Sequence, residues 1–251
     1  MRKNKRLISI LCVLIIAAGA AILLYPVFRT TEQKAEQKEA VEEFRQYIEE
    51  HDEQRETPKP MNLPENEIKA EKPVFSELWN ACVAYNEELP IYQENELNAE
   101  SIKSPALNLS DYGFTESAFG YLSIPDASIE APIFLGATMA NLDKGAAHLG
   151  MTSLPSGGDS NNCVIAGPRT GSGAVTFEGL ERLDIGDMVY VTNPWETLCY
   201  EVIETKVIAP NDSDAILIQS GRDLLTLFTC TNRAARRFLV ICERNTTEGG
   251  T

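Results

Sequence analysis

The 251-residue sequence predicts a mainly β domain, a closed barrel or sandwich with short helices, carried on an N-terminal helical arm. Three observations carry this expectation. Beyond about Phe119, short β-rich runs recur at regular intervals with turn residues between them; ahead of it lie two stretches of helical spacing; and Leu7 to Leu24 is an uncharged apolar run. With 43% apolar and 24% charged residues, the chain can bury one ordinary core, and collagen, low-complexity and multi-span membrane classes are excluded. Thirty-seven Asp and Glu stand against 22 Lys and Arg, and four of the basic residues precede the first apolar run. So acidic a chain repels phosphate backbones, and no basic stripe with interleaved aromatics occurs, so nucleic acid is not an expected partner.

The elements follow in chain order. Arg2, Lys3, Lys5 and Arg6 lead into the run from Leu7 to Leu24, which Tyr25-Pro26-Val27-Phe28 continues to Arg29. At about 1.5 Å per residue, about 20 residues cross a hydrocarbon core of roughly 30 Å. A cleaved leader is the competing reading, because Ala17 to Ala21 offers small residues, but Ile22, Leu23 and Leu24 extend the apolar run beyond a leader's usual length. Residues 1–28 are therefore expected to be a single-pass anchor in the cell membrane. The basic flank sets Met1 to Arg6 in the cytoplasm and the chain from Arg29 outside. Cys12 reads as a small apolar residue of that helix.

Residues 29–74 read as a charged helical stalk and a Pro-rich linker. Val41, Phe44, Tyr47 and Ile48 make a thin apolar stripe, and a solvated stalk is preferred to a docking helix. Pro58, Pro60, Pro64 and Pro73 then forbid continuous helix. Residues 75–118 begin with a helix from Phe75 to Leu89, its apolar side formed by Leu78, Trp79, Cys82 and Val83, and Pro90 is expected to end it.

Residues 119–245 form the globular unit, and 246–251 a polar tail. Strands are expected at Gly120 to Pro125, Ser128 to Leu135, Cys163 to Ala166, Asp187 to Thr192, Leu198 to Ile208, Leu224 to Thr229 and Arg237 to Cys242, mostly antiparallel. Phe177, Leu180 and Leu183 mark one brief helical turn among them. Cys82, Cys163, Cys199, Cys230 and Cys242 are an odd number with no paired metal spacing, and no phosphate loop or calcium loop is present, so no cofactor or metal is expected. Cys163, Cys199 and Cys242 lie inside apolar strands and read as core residues.

Several motifs, in order, resemble the sortase family: Gly120-Tyr-Leu-Ser-Ile-Pro125, Gly145-Ala-Ala-His-Leu-Gly150, Thr152-Ser-Leu-Pro155, Ile185-Gly-Asp187 and Leu227-Phe-Thr-Cys230. The Ser153-Leu-Pro155 form and the Ala84-Tyr-Asn-Glu87 helix are similar to the pilin-assembling class C branch. The resemblance covers roughly Phe75 to Arg244. It implies a closed eight-stranded β-barrel and an extracytoplasmic, membrane-anchored cysteine transpeptidase of a Gram-positive cell surface. Its partners would be surface or pilin proteins bearing a C-terminal Leu-Pro-X-Thr-Gly-type sorting signal, and an amine acceptor, a pilin Lys or a cell-wall precursor.

Carried over residue by residue, Cys230 matches the nucleophile and Arg237 the arginine that holds the oxyanion or substrate carbonyls. Arg236 points to the other face of the strand, so only one of the two serves. Where the family reads Gly-His-Arg, this chain reads Ala166-Gly-Pro-Arg169, so Pro168 occupies the position of the histidine that protonates the departing amine. Pro168 has no titratable group. His148 is the remaining barrel histidine and the alternative proton donor, although a structural role is preferred for it. The Asp-Pro-aromatic lid of class C members is absent between Ser104 and Gly120, where only Asp111-Tyr112 occurs, and the polar tail replaces a second membrane segment. Two functions follow: an impaired sortase-type transpeptidase, or a catalytically inactive sortase fold that binds sorting signals or scaffolds an active sortase.

Overall fold

Period-2 alternation builds the wall of the barrel. The structure, a computed structural model, describes residues 2–50, 75–112, 114, 118–169, 176–210, 212–231 and 236–246, without the side chains of 2–13, 16, 17, 26 and 94–96. The strands are β1 (Ala118–Ile124), β2 (Ile129–Leu135), β3 (Ala146–His148), β4 (Asn161–Ala166), β5 (Met188–Thr192), β6 (Thr197–Ile208), β7 (Asp223–Cys230) and β8 (Arg237–Arg244). They close into a barrel in the order β1-β2-β3-β4-β7-β8-β6-β5. Closure leaves no exposed sheet edge to recruit another chain. The β2–β3 and β4–β7 pairs are parallel and the others antiparallel. Gly120 is required in β1, because a Cβ there would lie 2.1 Å from the Thr192 carbonyl oxygen.

Alternate residues fill the interior: Leu122 and Ile124 of β1, Cys163 and Ile165 of β4, Leu225 and Leu227 of β7, and Val240 and Cys242 of β8 share one buried cluster. Phe177 and Leu180, on a 3-10 turn spanning Phe177–Arg182, complete it. The opposite parity is also covered, since Val164, Ala166 and Leu239 join Leu149, Ile208 and Ile216 in a second layer outside the wall. The outer layer contains the parity shared by Phe228 and Cys230.

Two helices lie against the barrel. Helix α1 (Arg2–Glu50) is continuous, and its C-terminal half is docked, which corrects the expectation of a solvated stalk. Val41, Phe44 and Ile48 are buried, and Phe44 and Ile48 pack with Phe75, Leu78, Phe119 and Trp195. Phe44 meets Tyr121 edge-on, while Arg45 pairs with Glu130 and lies over the Tyr121 ring. Three apolar side chains on a charged helix suffice because the barrel supplies an aromatic floor for them. The linker expected up to residue 74 lies outside the described residues from 51 onward, as does the tail from 247.

Helix α2 (Ser76–Glu96) runs through Pro90 instead of ending before it. The lost backbone bond is offset by what the extra turn fastens. Gln93 is buried, donates to the Met151 carbonyl at 3.0 Å and accepts from the Ile218 amide at 2.9 Å. A short helix, α3 (Met139–Lys144), leads into β3, with the Thr138 side chain accepting from the Asn141 amide as an N-cap.

The N-terminal part of α1 exposes Leu14, Ile15, Ile22, Leu23, Leu24, Tyr25, Val27 and Phe28, each at 60–76%. Among the described residues no helix is long and apolar enough to cross a membrane; much of the Leu7 to Phe28 run has side chains outside them, Cys12 included.

Candidate active site

Cys230 closes β7 and Arg237 opens β8, and antiparallel pairing sets them directly opposite each other. Both belong to the outer parity of their strands, so they meet on the outside wall, away from the core. Arg237 Nη1 donates to Cys230 Sγ at 3.2 Å. The guanidinium carbon stands 5.5 Å from the centre of the Phe228 ring, a cation–π contact that holds the side chain along the strand. Arg237 forms no ion pair among the described residues, so its charge is not consumed by a carboxylate. Cys230 is partly exposed, whereas Cys82, Cys163, Cys199 and Cys242 are buried, and all five are free thiols. Burial alone pushes Cys82 and Cys242 well above the usual thiol range. Arg236 is exposed and contributes its carbonyl to the Thr231 amide at 3.0 Å.

Pro168 follows the end of β4. The parallel β4–β7 register pairs Ala166 with Phe228, and the Gly167 amide continues the ladder to the Phe228 carbonyl at 3.1 Å. The β4–β7 pairs end at Ala166, and the same register extrapolated by two residues directs Pro168 toward the level of Cys230, on the outer parity of Val164 and Ala166. Its backbone is tightly held. The Phe177 amide donates to the Pro168 carbonyl at 2.7 Å, Thr229 Oγ1 donates to the Gly167 carbonyl at 2.9 Å, and a Cβ on Gly167 would lie 2.4 Å from the Phe177 ring. Arg169 turns the other way into a two-pronged ion pair with Glu181, which lowers the Glu181 carboxyl below its usual range.

His148 is in β3, which β4 separates from β7. It is wholly buried, and its Nε2 lies 3.0 Å from the Ser153 carbonyl and 3.2 Å from that of Thr152. Burial holds its pKa down at about 4 against the pull of those carbonyls. The same loop is gripped from α2: the Asn86 side chain accepts from the Leu154 amide at 2.8 Å and donates to Ser156 Oγ at 3.0 Å, while the Tyr85 hydroxyl accepts from the Met151 amide at 3.1 Å. Thus the Ala-His-Leu, Ser-Leu-Pro and Tyr-Asn signatures form one latch that fastens α2 to the barrel.

Beside Arg237 a cavity of about 320 Å³ opens on the same outer face, lined by Leu97, Ile102, Ile208, Ile216 and Phe228 among others. Sequence reasoning missed these lining residues. Only Phe228 carried a signal, since it shares the parity of Cys230. Asp111 and Tyr112 lie elsewhere, with Tyr112 packed in the cluster that contains Phe44. Among the described residues no group of three or more His, Cys, Asp or Glu could hold a metal.

Residues 122–245 match the sortase domain model. A solved structure of a pilus-related sortase C from Group B Streptococcus is 30% identical, with a TM-score of 0.62 over 72% of this chain and 94% of that one. The chain belongs to the sortase family. A Streptococcus pneumoniae sortase C structure is 27% identical, with a TM-score of 0.63 over 82% of this chain and 96% of that one. Among curated relatives, sortase A of Streptococcus agalactiae is 32% identical over 126 residues, 49% of this chain and 50% of that protein. Sortase D of Bacillus subtilis is 27% identical over 137 residues, 53% of this chain and 66% of that protein. The chain thus spans between half and two thirds of these curated relatives' lengths.

Proposed function

We propose that this sortase is a cysteine transpeptidase of the class C kind, acting on Leu-Pro-X-Thr-Gly-type sorting signals of surface or pilin proteins and slowed by the side chain at position 168. The observation that carries this reading is the 3.2 Å contact between Arg237 and Cys230 beside an apolar groove. The Cys230 thiol gives its proton to solvent as its sulfur attacks the Thr carbonyl carbon, and the electron pair of the carbonyl moves to its oxygen. Arg237 donates to that oxygen as negative charge develops. Collapse of the tetrahedral intermediate expels the Gly nitrogen, which must gain a proton to leave as an amine. A second amine, from a pilin Lys or a cell-wall precursor, then attacks the thioester and releases Cys230. The aliphatic lining of the cavity suits the Leu and Pro side chains of such a signal.

Pro168 offers no proton for the departing amine, and loss of a general acid typically costs about 10²–10⁴ in rate. The burial of His148 and its bonds to two carbonyls support a structural role for it, so solvent or the substrate itself would supply the proton. A second reading rests on the same residue: a sortase fold that captures sorting signals, or scaffolds an active sortase, without turnover.

Anchoring belongs to this proposal. The exposed apolar side chains from Leu14 to Phe28, preceded by Arg2, Lys3, Lys5 and Arg6, support a single-pass helix with its N-terminus in the cytoplasm and the barrel outside. Intact mass of the full chain after incubation with a Leu-Pro-X-Thr-Gly peptide tests the reading. A thioacyl adduct that is lost in Cys230→Ala is expected; binding of the peptide without any adduct would favour the capture module instead.

A further inference from the structure

Where α1 meets the barrel, a polar cavity of about 470 Å³ is lined by Lys34, Gln37 and Lys38 of the helix and by Thr176, Gly179 and Arg182 of the barrel, among others. Lys34 and Lys38 are four apart and share one face of α1. Among the described residues none of the three cations forms an ion pair within 4 Å; Arg182 instead donates to the Ala127 carbonyl at 3.2 Å. Of the two carboxylates at the rim, Glu130 is already paired with Arg45, which leaves Glu178. In a chain of net charge −15, three uncommitted cations around one cavity are a local reversal of sign. Gln37 is only 4% exposed, and its side-chain oxygen has no hydrogen-bond donor among the described residues. A buried carbonyl of this kind calls for a donor from whatever fills the cavity.

The cavity's position completes the set of constraints. Lys34 follows Phe28, the last exposed apolar residue of the N-terminal run, by six residues, about 9 Å along the axis. Helical side chains lean toward the N-terminus, so the Lys34 and Lys38 ammonium groups point back toward the membrane surface of an anchored chain. We propose that this cavity binds the headgroup of an anionic phosphoglycerol lipid, the phosphate meeting Lys34, Lys38 and Arg182 and a glycerol hydroxyl donating to Gln37. The inference rests on the anchored reading, and it would fix the height and rotation of the barrel over the membrane.

Lipid titration of the full chain in detergent micelles, followed by native mass spectrometry, tests it. One phosphatidylglycerol should be retained at least about tenfold better than phosphatidylcholine, and Lys34→Gln/Lys38→Gln/Arg182→Gln should erase that preference. Gln37→Leu should weaken phosphatidylglycerol but not phosphatidylmethanol, which has the same charge and no hydroxyl. A Lys103→Gln/Lys206→Gln control should change nothing. Should the triple variant unfold by circular dichroism, the Gln37→Leu comparison decides alone. An undiminished preference in the triple variant, equal loss of both lipids in Gln37→Leu, or displacement of the lipid by an equal concentration of inorganic phosphate would overturn the proposal. Recovery of the chain from the soluble fraction of cells would instead overturn the anchor.

Discussion

Arg237 donates to the Cys230 sulfur across directly paired positions of β7 and β8, at 3.2 Å. The pairing means that neither side chain depends on a loop for its placement. Under the proposed mechanism, a donor already aimed at the sulfur is also within reach of an oxygen bonded to the carbon that the sulfur would attack. Replacing Arg237 with Ala should therefore slow adduct formation by about 10²–10³ while peptide binding changes less. Arg237→Lys should recover part of the rate, because a single ammonium replaces a fork. Stopped adduct formation, followed by mass spectrometry, checks both variants.

The buried imidazole gives a pH dependence of known sign. His148 is held neutral by desolvation with a folded pKa of about 4, below its unfolded value of about 6.5. Between those values the unfolded chain binds the extra proton, so stability is intact above pH 6.5 and falls as the pH drops toward 4. The group contributes roughly 3 kcal/mol to that fall. His148→Gln, which keeps a donor for the Ser153 carbonyl, should show a smaller loss of Tm between pH 7 and 4.5 than the parent. Identical losses in both would show that the folded imidazole takes up its proton as readily as the unfolded one, and would contradict the depressed pKa.

Docking of α1 makes a measurable demand. Phe44 is 1% exposed against the barrel, and Phe44→Ala should cost about 3–5 kcal/mol. Amides of residues 37–48 should then exchange much faster, because the helix would lose its largest buried anchor and rely on Val41, Ile48, the Tyr47 ring contacts and the Arg45–Glu130 pair. A free stalk would give no change in either.

The latch is testable at Asn86. Its side chain satisfies the Leu154 amide and meets Ser156. Asn86→Ala leaves that amide buried without a partner, so a loss of about 1–3 kcal/mol is expected, with a Tm lowered by several degrees. Thermal unfolding at neutral pH reads it directly.

Much of the barrel was legible because turn chemistry separates its strands, but particular elements were hidden for physical reasons. β3 has three residues, too few to show a period. The run from Leu224 to Leu227 shows no alternation because both faces of β7 are covered, one by the core and one by the outer layer. Parallel pairing of β4 with β7 leaves no local signal, since the partners are distant in the chain. Pro90 reads as a stop in the sequence, and only the contacts of Gln93 show why the helix continues. At the site, Cys230 and Arg237 are readable as motif residues, whereas the cavity is not, because Leu97 and Ile102 come from one connection and Ile216 from another far along the chain.

In the proposed function, position 168 is what separates turnover from capture. Every backbone bond that orients it uses the Pro168 carbonyl or the neighbouring Gly167, so histidine can replace proline without losing one. The most direct measurement compares the rate of thioacyl adduct formation and of amine release from a Leu-Pro-X-Thr-Gly peptide in the parent and in Pro168→His. An impaired transpeptidase predicts slow adduct formation in the parent and a gain of about 10²–10⁴ in the variant, with both abolished by Cys230→Ala. Equal rates in parent and variant would contradict the assignment of position 168 to the proton donor.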